Sequence, residues 1–330
     1  MLGDRSMRRV TCLLFVLGCG SSQPAGAPDA APSAVDGGGG PTFDAGAAVV
    51  DAAPPFACTG KTGASGDSTV TITSSGVPRL SLLHVPASYD PSTGTMLVFN
   101  FHGFTSDAVQ EELLTGMNAS SDARNYVVAY PYGIAQSWNA GACCGTAAAT
   151  NVDDIQFVRD LLASLETDYC VDPKRVFATG MSNGAFLSHR IGCEMADTVA
   201  AIAPVAGVIG VPTCTPSRPV PVLHFHGTAD PLVPYDGSTT LGFISVDDSI
   251  AEWRTNDGCS SESSTIYSSG DATCVAWTAC AASSEVVLCT IDQGGHTWPG
   301  GLPVPALGIT STDINATDTM IDFFEAHPMP

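Results

Sequence analysis

From Cys58 onward, short β-branched and apolar runs alternate with stretches whose apolar positions recur every three or four residues. Thr69–Thr73 and Arg79–Val85 predict two early strands. Thr95–Phe101 is apolar throughout except for Asn100, the pattern of a strand covered on both faces, and Tyr126–Tyr130 is the next strand. Asn151 or Asp153 can cap a helix whose Ile155, Val158, Leu161, Leu162 and Leu165 share one face. Cys170-Val171-Asp172-Pro173 ends that helix, Arg175–Thr179 resumes as a strand, and a helix runs from about Ser182 to Met195. Strands follow at Val199–Val205 and Val220–Phe225, a helix at Ser249–Thr255, a last strand at Glu285–Ile291 and a closing helix at Thr317–Ala326. This alternation predicts an α/β fold, a mostly parallel central sheet with helices on both faces. No internal repeat interrupts it. Cys259–Cys289, rich in Ser, Thr and Cys, is expected to be a disulfide-stapled insertion near the C-terminus and not a second domain.

The N-terminal stretch follows different rules. Arg5, Arg8 and Arg9 precede a short apolar run from Val10 to Leu17, the layout of an export signal and far short of a bilayer span. Val16-Leu17-Gly18-Cys19 resembles a bacterial lipobox, which makes residues 1–18 a lipoprotein signal and Cys19 the lipidated N-terminus of the mature chain. Ala25-Gly26-Ala27 offers an ordinary cleavage site, disfavoured by Pro28 directly after it. Residues 19–57 carry Ala, Gly, Pro and Asp without an apolar period, as a flexible linker would, and residues 58–330 form the folded domain. The expected location is therefore extracellular, or the outer membrane of a bacterium through the Cys19 anchor alone.

Composition agrees with export. Twelve cysteines are many for a reducing compartment. With Cys12 lost in the signal and Cys19 lipidated, ten remain for up to five bridges; Cys193–Cys214 and Cys274–Cys280 are the pairings expected here. Thirty-three acidic against 12 basic residues give a net charge of −21, which becomes −23 once the three signal arginines and Asp4 are removed. Nucleic acid is excluded as a partner, because a phosphate backbone needs clustered Lys and Arg.

Candidate chemistry centres on Gly180-Met181-Ser182-Asn183-Gly184, a G-x-S-x-G sequence between a strand and a helix. A tight strand-to-helix turn needs glycines on either side so that the strained serine projects. In such a layout the acid and the histidine follow the serine in that order, at later strand ends. His189 lies along the same helix, His224 and His226 lie within a strand, and His327 is at the chain end and expected to fray. His296, presented by Gly294-Gly295 after the last strand, is the base that elimination leaves. Asp230, just past the strand in His226-Gly227-Thr228-Ala229-Asp230, is the acid; Asp236, Asp247 and Asp248 sit deeper in polar sequence. Ser182 attack on an ester carbonyl, His296 as base and Asp230 as its orienting carboxylate then describe acyl transfer. The amides of Asn183 and of Phe104, after His102-Gly103, are the expected oxyanion donors. Trp138 and Trp298 flank the constellation and are expected to form an aromatic wall for substrate, with core packing the alternative for each.

The segments SWNAGACCG, NVDDIQF, YCVDPKRVFATGMSNGAF, IAPVAG, PVLHFHGTADPLVPYDG and GGHTWPGG resemble, in order over about residues 80–326, the polyhydroxybutyrate depolymerase-type esterases. That group, which includes feruloyl and acetylxylan esterases of carbohydrate esterase family 1, belongs to the α/β-hydrolase superfamily. The resemblance implies carboxylester hydrolysis by Ser182, Asp230 and His296, with no cofactor and no metal. It implies action as a monomer on a small or polymer-linked ester, with feruloyl or acetyl esters of plant polysaccharide foremost. Polyhydroxyalkanoate oligomers and aromatic polyesters are the alternatives, and the lack of an appended substrate-binding domain weighs against solid polymer. His224-x-His226 lacks the further histidine and aspartate that metal hydrolases place beside such a pair, so strand packing accounts for it better. A non-catalytic surface binding lipoprotein on the same scaffold would have been free to lose one of the three residues, and it has lost none.

Overall fold

The computed structural model describes residues 40–43 and 56–330. The signal at 1–18, Cys19 and most of the linker expected at 19–57 lie outside the described residues. Within that linker Phe43 does not behave as free coil: its ring meets Phe323 edge-on at 5.2 Å, an apolar contact that a Gly/Pro-rich pattern does not announce.

Among the described residues ten strands form one sheet: β1 (Gly66–Ser74), β2 (Val77–Val85), β3 (Thr95–Phe101), β4 (Val127–Pro131), β5 (Val171–Met181), β6 (Ala201–Val205), β7 (Val222–Gly227), β8 (Ser264–Ser269), β9 (Ala272–Trp277) and β10 (Val286–Ile291). Their order is β1-β2-β4-β3-β5-β6-β7-β10-β9-β8. The central strands, from β4 through β10, pair in parallel, and antiparallel pairs flank them on both sides. Every residue of β3 is buried, as its unbroken apolar run requires.

Helices cover both faces. α4 (Asp154–Asp168), α5 (Asn183–Glu194) and α6 (Val246–Asn256) carry one apolar layer, including Phe157, Leu161, Phe186, Ile191 and Trp253. α1 (Ala108–Thr115), α2 (Met117–Arg124) and α7 (Ala316–Ala326) carry the other, with Met117, Met320 and Phe324; the short α3 (Gly145–Ala149) precedes α4. Asp153 caps α4 by accepting from the Gln156 amide at 3.0 Å, which decides between the two caps the sequence allowed. This is the α/β-hydrolase architecture.

The insertion is sheet. β8 and β9 form an antiparallel hairpin that extends the edge beyond β10. Cys193–Cys214 forms as expected, but Cys274–Cys280 does not: Cys274 bonds Cys289, and Cys280 bonds Cys259. Register is the reason. Cys274 and Cys289 face each other across β9 and β10 with Cα atoms 3.9 Å apart. Cys58–Cys170 ties the start of the domain to the entry of β5, and Cys143–Cys144 joins neighbours.

Candidate active site

β5 ends at Met181 and α5 begins at Asn183, so one residue makes the turn. That residue, Ser182, has φ 56° and ψ −120°, a conformation costly for any side chain and held only by its surroundings. Gly180 and Gly184 are obligatory because β3 passes beneath: a Cβ on either would collide with the Phe101 carbonyl oxygen. A serine at a helix N-cap ordinarily turns its hydroxyl back onto the first amides. Ser182 makes no such bond, so its Oγ is left for other partners.

The expected acid and base meet in space although 66 residues separate them. Nδ1 of His296 lies 2.7 Å from Oδ2 of Asp230. The other oxygen, Oδ1, accepts from the Leu232 and Val233 amides at 2.8 Å each, so the carboxylate cannot rotate away. With Nδ1 donating to the carboxylate, Nε2 is the nitrogen able to take a proton. Ser182 and His296 line the same cavity, of about 620 Å³.

The cavity's walls are mostly apolar and come from α1 and several loops: Leu113 on α1, then Phe104, Leu232, Leu241, Phe243 and Leu302, together with the Cys143–Cys144 disulfide. Thr105, Ser106, Gln110 and Glu111 join Ser182 and His296 as its polar part. Phe104 contributes a ring, 44% exposed, as well as its backbone. The amides of Phe104 and Asn183 make no hydrogen bond among the described residues. His102 sets the first of them. Its Nε2 accepts from the Gly133 amide at 2.9 Å, so its Nδ1 donates to the Gly103 carbonyl at 2.7 Å. In a trans peptide the N–H opposes the C=O, so this bond turns the Phe104 N–H the other way. Burial pushes the His102 imidazole below its ordinary pKa, in keeping with this neutral role.

The tryptophans are not a wall. Trp138 is fully buried, donates from Nε1 to the His102 carbonyl at 2.9 Å and meets Phe101 edge-on. Asn183 grips its backbone, accepting from the Trp138 amide at 2.7 Å and donating to its carbonyl at 3.2 Å. Trp298 is fully buried too, with Nε1 on Thr317 Oγ1 at 3.0 Å. Both indoles are core, because each N–H has a protein partner that a substrate face would not supply. His327 does not fray either: it is 5% exposed and packs on Phe323 at 4.3 Å between ring centroids.

Behind Asp230, His226 and His224 of β7 and His189 of α5 form a stack. Nε2 of His226 donates to the Val233 carbonyl at 2.8 Å and is 3.5 Å from Asp230 Oδ2. Its Nδ1 therefore accepts from His224 Nε2 at 3.1 Å, and His189 accepts at Nδ1 from Trp253 Nε1 at 2.9 Å. Burial lowers the pKa of all three, that of His189 to about 3, so the stack is uncharged.

A serine elbow, an aspartate-locked histidine and an apolar cavity at the carboxyl edge of a parallel sheet define a hydrolase-type site. No family model matches the sequence. The chain is 32% identical over 236 residues to Feruloyl esterase B of Piromyces equi, covering 66% of this chain but only 42% of that protein. It is 31% identical over 254 residues to Putative esterase NocK of Nocardia uniformis subsp. tsuyamanensis, covering 70% of this chain and 74% of that one. Among solved structures, Acetyl xylan esterase from Aspergillus awamori shares the fold, with a TM-score of 0.54 at 14% identity over 78% of this chain and 99% of that one. The chain belongs to the feruloyl esterase-like family of α/β-hydrolases, a family of carboxylic ester hydrolases.

Proposed function

We propose that this chain is an exported serine esterase that hydrolyses feruloyl and acetyl esters of plant polysaccharide through a covalent acyl-enzyme. The observation that carries the reading is the free Ser182 hydroxyl at a strained elbow, lining one cavity with a histidine fixed by Asp230. In the first step His296 Nε2 takes the Ser182 proton as Oγ attacks the ester carbonyl. The Asn183 and Phe104 amides receive the negative charge that develops on the carbonyl oxygen. The C–O bond to the alcohol then breaks, and His296 returns the proton to the leaving oxygen. Water repeats the sequence on the acyl-serine, releasing the acid.

The substrate class is supported by the naming of Feruloyl esterase B and by the cavity, whose apolar walls suit a phenylpropenoyl group. The same cavity also favours a second reading, a hydrolase of polyhydroxyalkanoate oligomers or aromatic polyesters, since these too present bulky apolar acyl groups. Five disulfides among the described residues suit an oxidising compartment, and export with Cys19 as lipid anchor is part of the proposal. Mass spectrometry of the mature N-terminus checks the anchor: an unmodified start downstream of Cys19 removes it.

Labelling by a fluorophosphonate tests the mechanism. Wild type is expected to label, and Ser182→Ala to label not at all. An unlabelled wild type points to a binding protein on this scaffold. A panel of methyl ferulate, p-nitrophenyl acetate, acetylated xylan and hydroxybutyrate oligomers then ranks the substrates, with methyl ferulate expected to give the highest kcat/KM among the small esters.

A further inference from the structure

One deeply buried polar group in the ester pocket has no part in the mechanism. Glu111, on the inward face of α1, lines the cavity that Ser182 and His296 line, yet it is only 1% exposed. Its Oε1 is buried and has no hydrogen-bond partner. Among the described residues no lysine, arginine or histidine pairs with it. Burial raises its pKa well above the ordinary carboxylate range, opposed only by the backbone amide of Met181, the residue before Ser182. Leaving one oxygen of such a group unpaired is costly; buried Asp154 has Arg79 at 2.8 Å and the Asn139 amide at 2.7 Å on its two oxygens, and Asp257 has the Val220 amide at 2.9 Å and Ser284 Oγ at 2.6 Å.

We propose that Glu111 is the polar contact by which this pocket selects acyl groups that carry a hydroxyl. A neutral carboxyl offers one donor and one acceptor, and a hydroxyl offers the same pair, so each can satisfy the other. An acetyl or unsubstituted alkyl group has nothing to offer and leaves the carboxyl unpaired as it seals the cavity from water. Ser182 and His296 apart, the other polar side chains on the cavity wall are less deeply placed, and two already donate, Ser106 to Gln110 Oε1 at 3.0 Å and Thr105 to the Phe104 carbonyl at 2.6 Å. The buried Glu111 therefore decides between acyl chains of similar size. The hydroxyl can come from a phenol at the far end of an aromatic acyl group or from a hydroxyalkanoate close to the ester. The inference rests on the esterase reading of the pocket and adds what that pocket distinguishes.

Two matched pairs of methyl esters test it: 4-hydroxycinnamate against cinnamate, and 3-hydroxybutyrate against butyrate. Wild type is expected to favour the hydroxylated member of at least one pair by about tenfold in kcat/KM, and the pair that responds identifies the source of the hydroxyl. Glu111→Leu is expected to bring that ratio near one, and Glu111→Gln, which keeps a donor and an acceptor, to retain most of it. Each ratio is measured within one sample and is independent of the fraction folded. Should Glu111→Leu fail to fold, the wild-type ratios and the Gln variant still decide. Wild-type ratios near one in both pairs, or a preference unchanged in Glu111→Leu, overturn the assignment. A wild type that cleaves none of the four esters and does not react with fluorophosphonate overturns the esterase reading itself, and the assignment with it.

Discussion

His296 and the three histidines stacked behind Asp230 are the same residue type, all buried, in opposite circumstances. His296 sits in a loop, holds a carboxylate at 2.7 Å through Nδ1 and lines the pocket. His189, His224 and His226 sit on α5 and β7, are held by hydrogen bonds between His224 and His226, from a tryptophan and to a carbonyl, and do not line that pocket. A carboxylate hydrogen bond and an open nitrogen make an imidazole a base, whereas deep burial without that bond keeps it neutral and makes it packing. The two regions touch at Asp230, where His226 comes within 3.5 Å of the oxygen that His296 uses.

Removing the reactive member separates them most sharply. His296→Ala is expected to lower kcat by about 10⁵-fold, and Asp230→Asn by about 10⁴-fold through loss of the tautomer that leaves Nε2 open. Steady-state kinetics on p-nitrophenyl acetate reads both. A loss under tenfold in His296→Ala would put the base elsewhere, and one in Asp230→Asn would put its orienting carboxylate elsewhere.

His226→Phe probes the contact between the regions. The ring it replaces holds the Val233 carbonyl, and Val233 in turn donates its amide to Asp230. Losing that clamp is expected to lower kcat by about 10- to 100-fold with KM nearly unchanged, the signature of a displaced acid and not of a lost substrate contact. A proportionate rise in KM would mean that the 230–233 loop serves the pocket wall instead.

His189 probes the stack itself through pH. Its folded pKa of about 3 lies below the roughly 6.5 of an unfolded histidine, so the unfolded chain binds a proton that the folded one refuses. Stability from His189 is therefore complete above pH 6.5 and is lost as pH falls towards 3. Relative to His189→Gln, wild type should lose about 1 kcal/mol per pH unit in that window, read from paired denaturant curves at each pH. The difference cancels the buried acids, such as Asp257, whose raised pKa of about 6 works in the opposite direction. A flat difference would mean that His189 carries its proton inside the fold.

The sequence makes the residues proposed to react more visible than the pocket around them, and the cause is geometric. Ser182 is marked by two glycines that a neighbouring strand makes obligatory, and Asp230 and His296 follow strands whose apolar runs are unmistakable. The pocket walls leave no such mark. Leu113, Leu232, Leu241 and Leu302 come from four separate segments with no shared period, and Glu111 lies on a helix that alternation along the chain does not announce. The Cys274–Cys289 bridge likewise depends on the register of β9 against β10. Proximity in sequence is a poor guide for Trp298, two residues from His296 but turned into the apolar layer under α1, α2 and α7.

That indole gives the smallest expected effect and the finest test of where the pocket ends. Trp298 is fully buried, and its only polar atom bonds Thr317 Oγ1, whose hydroxyl in turn donates to the Thr115 carbonyl on α1. Trp298→Phe removes one buried hydrogen bond and part of a ring, leaving Thr317 with its second partner. The expected cost is about 1–3 kcal/mol of stability, seen as a lower urea midpoint with an unchanged slope. Because the ring faces α7 and not the cavity, the ratio of kcat/KM for methyl ferulate to that for p-nitrophenyl acetate should stay within about twofold of wild type. A selective loss on the aryl ester would mean that the indole reaches substrate after all, and the boundary drawn between core and pocket at His296 would have to move by two residues.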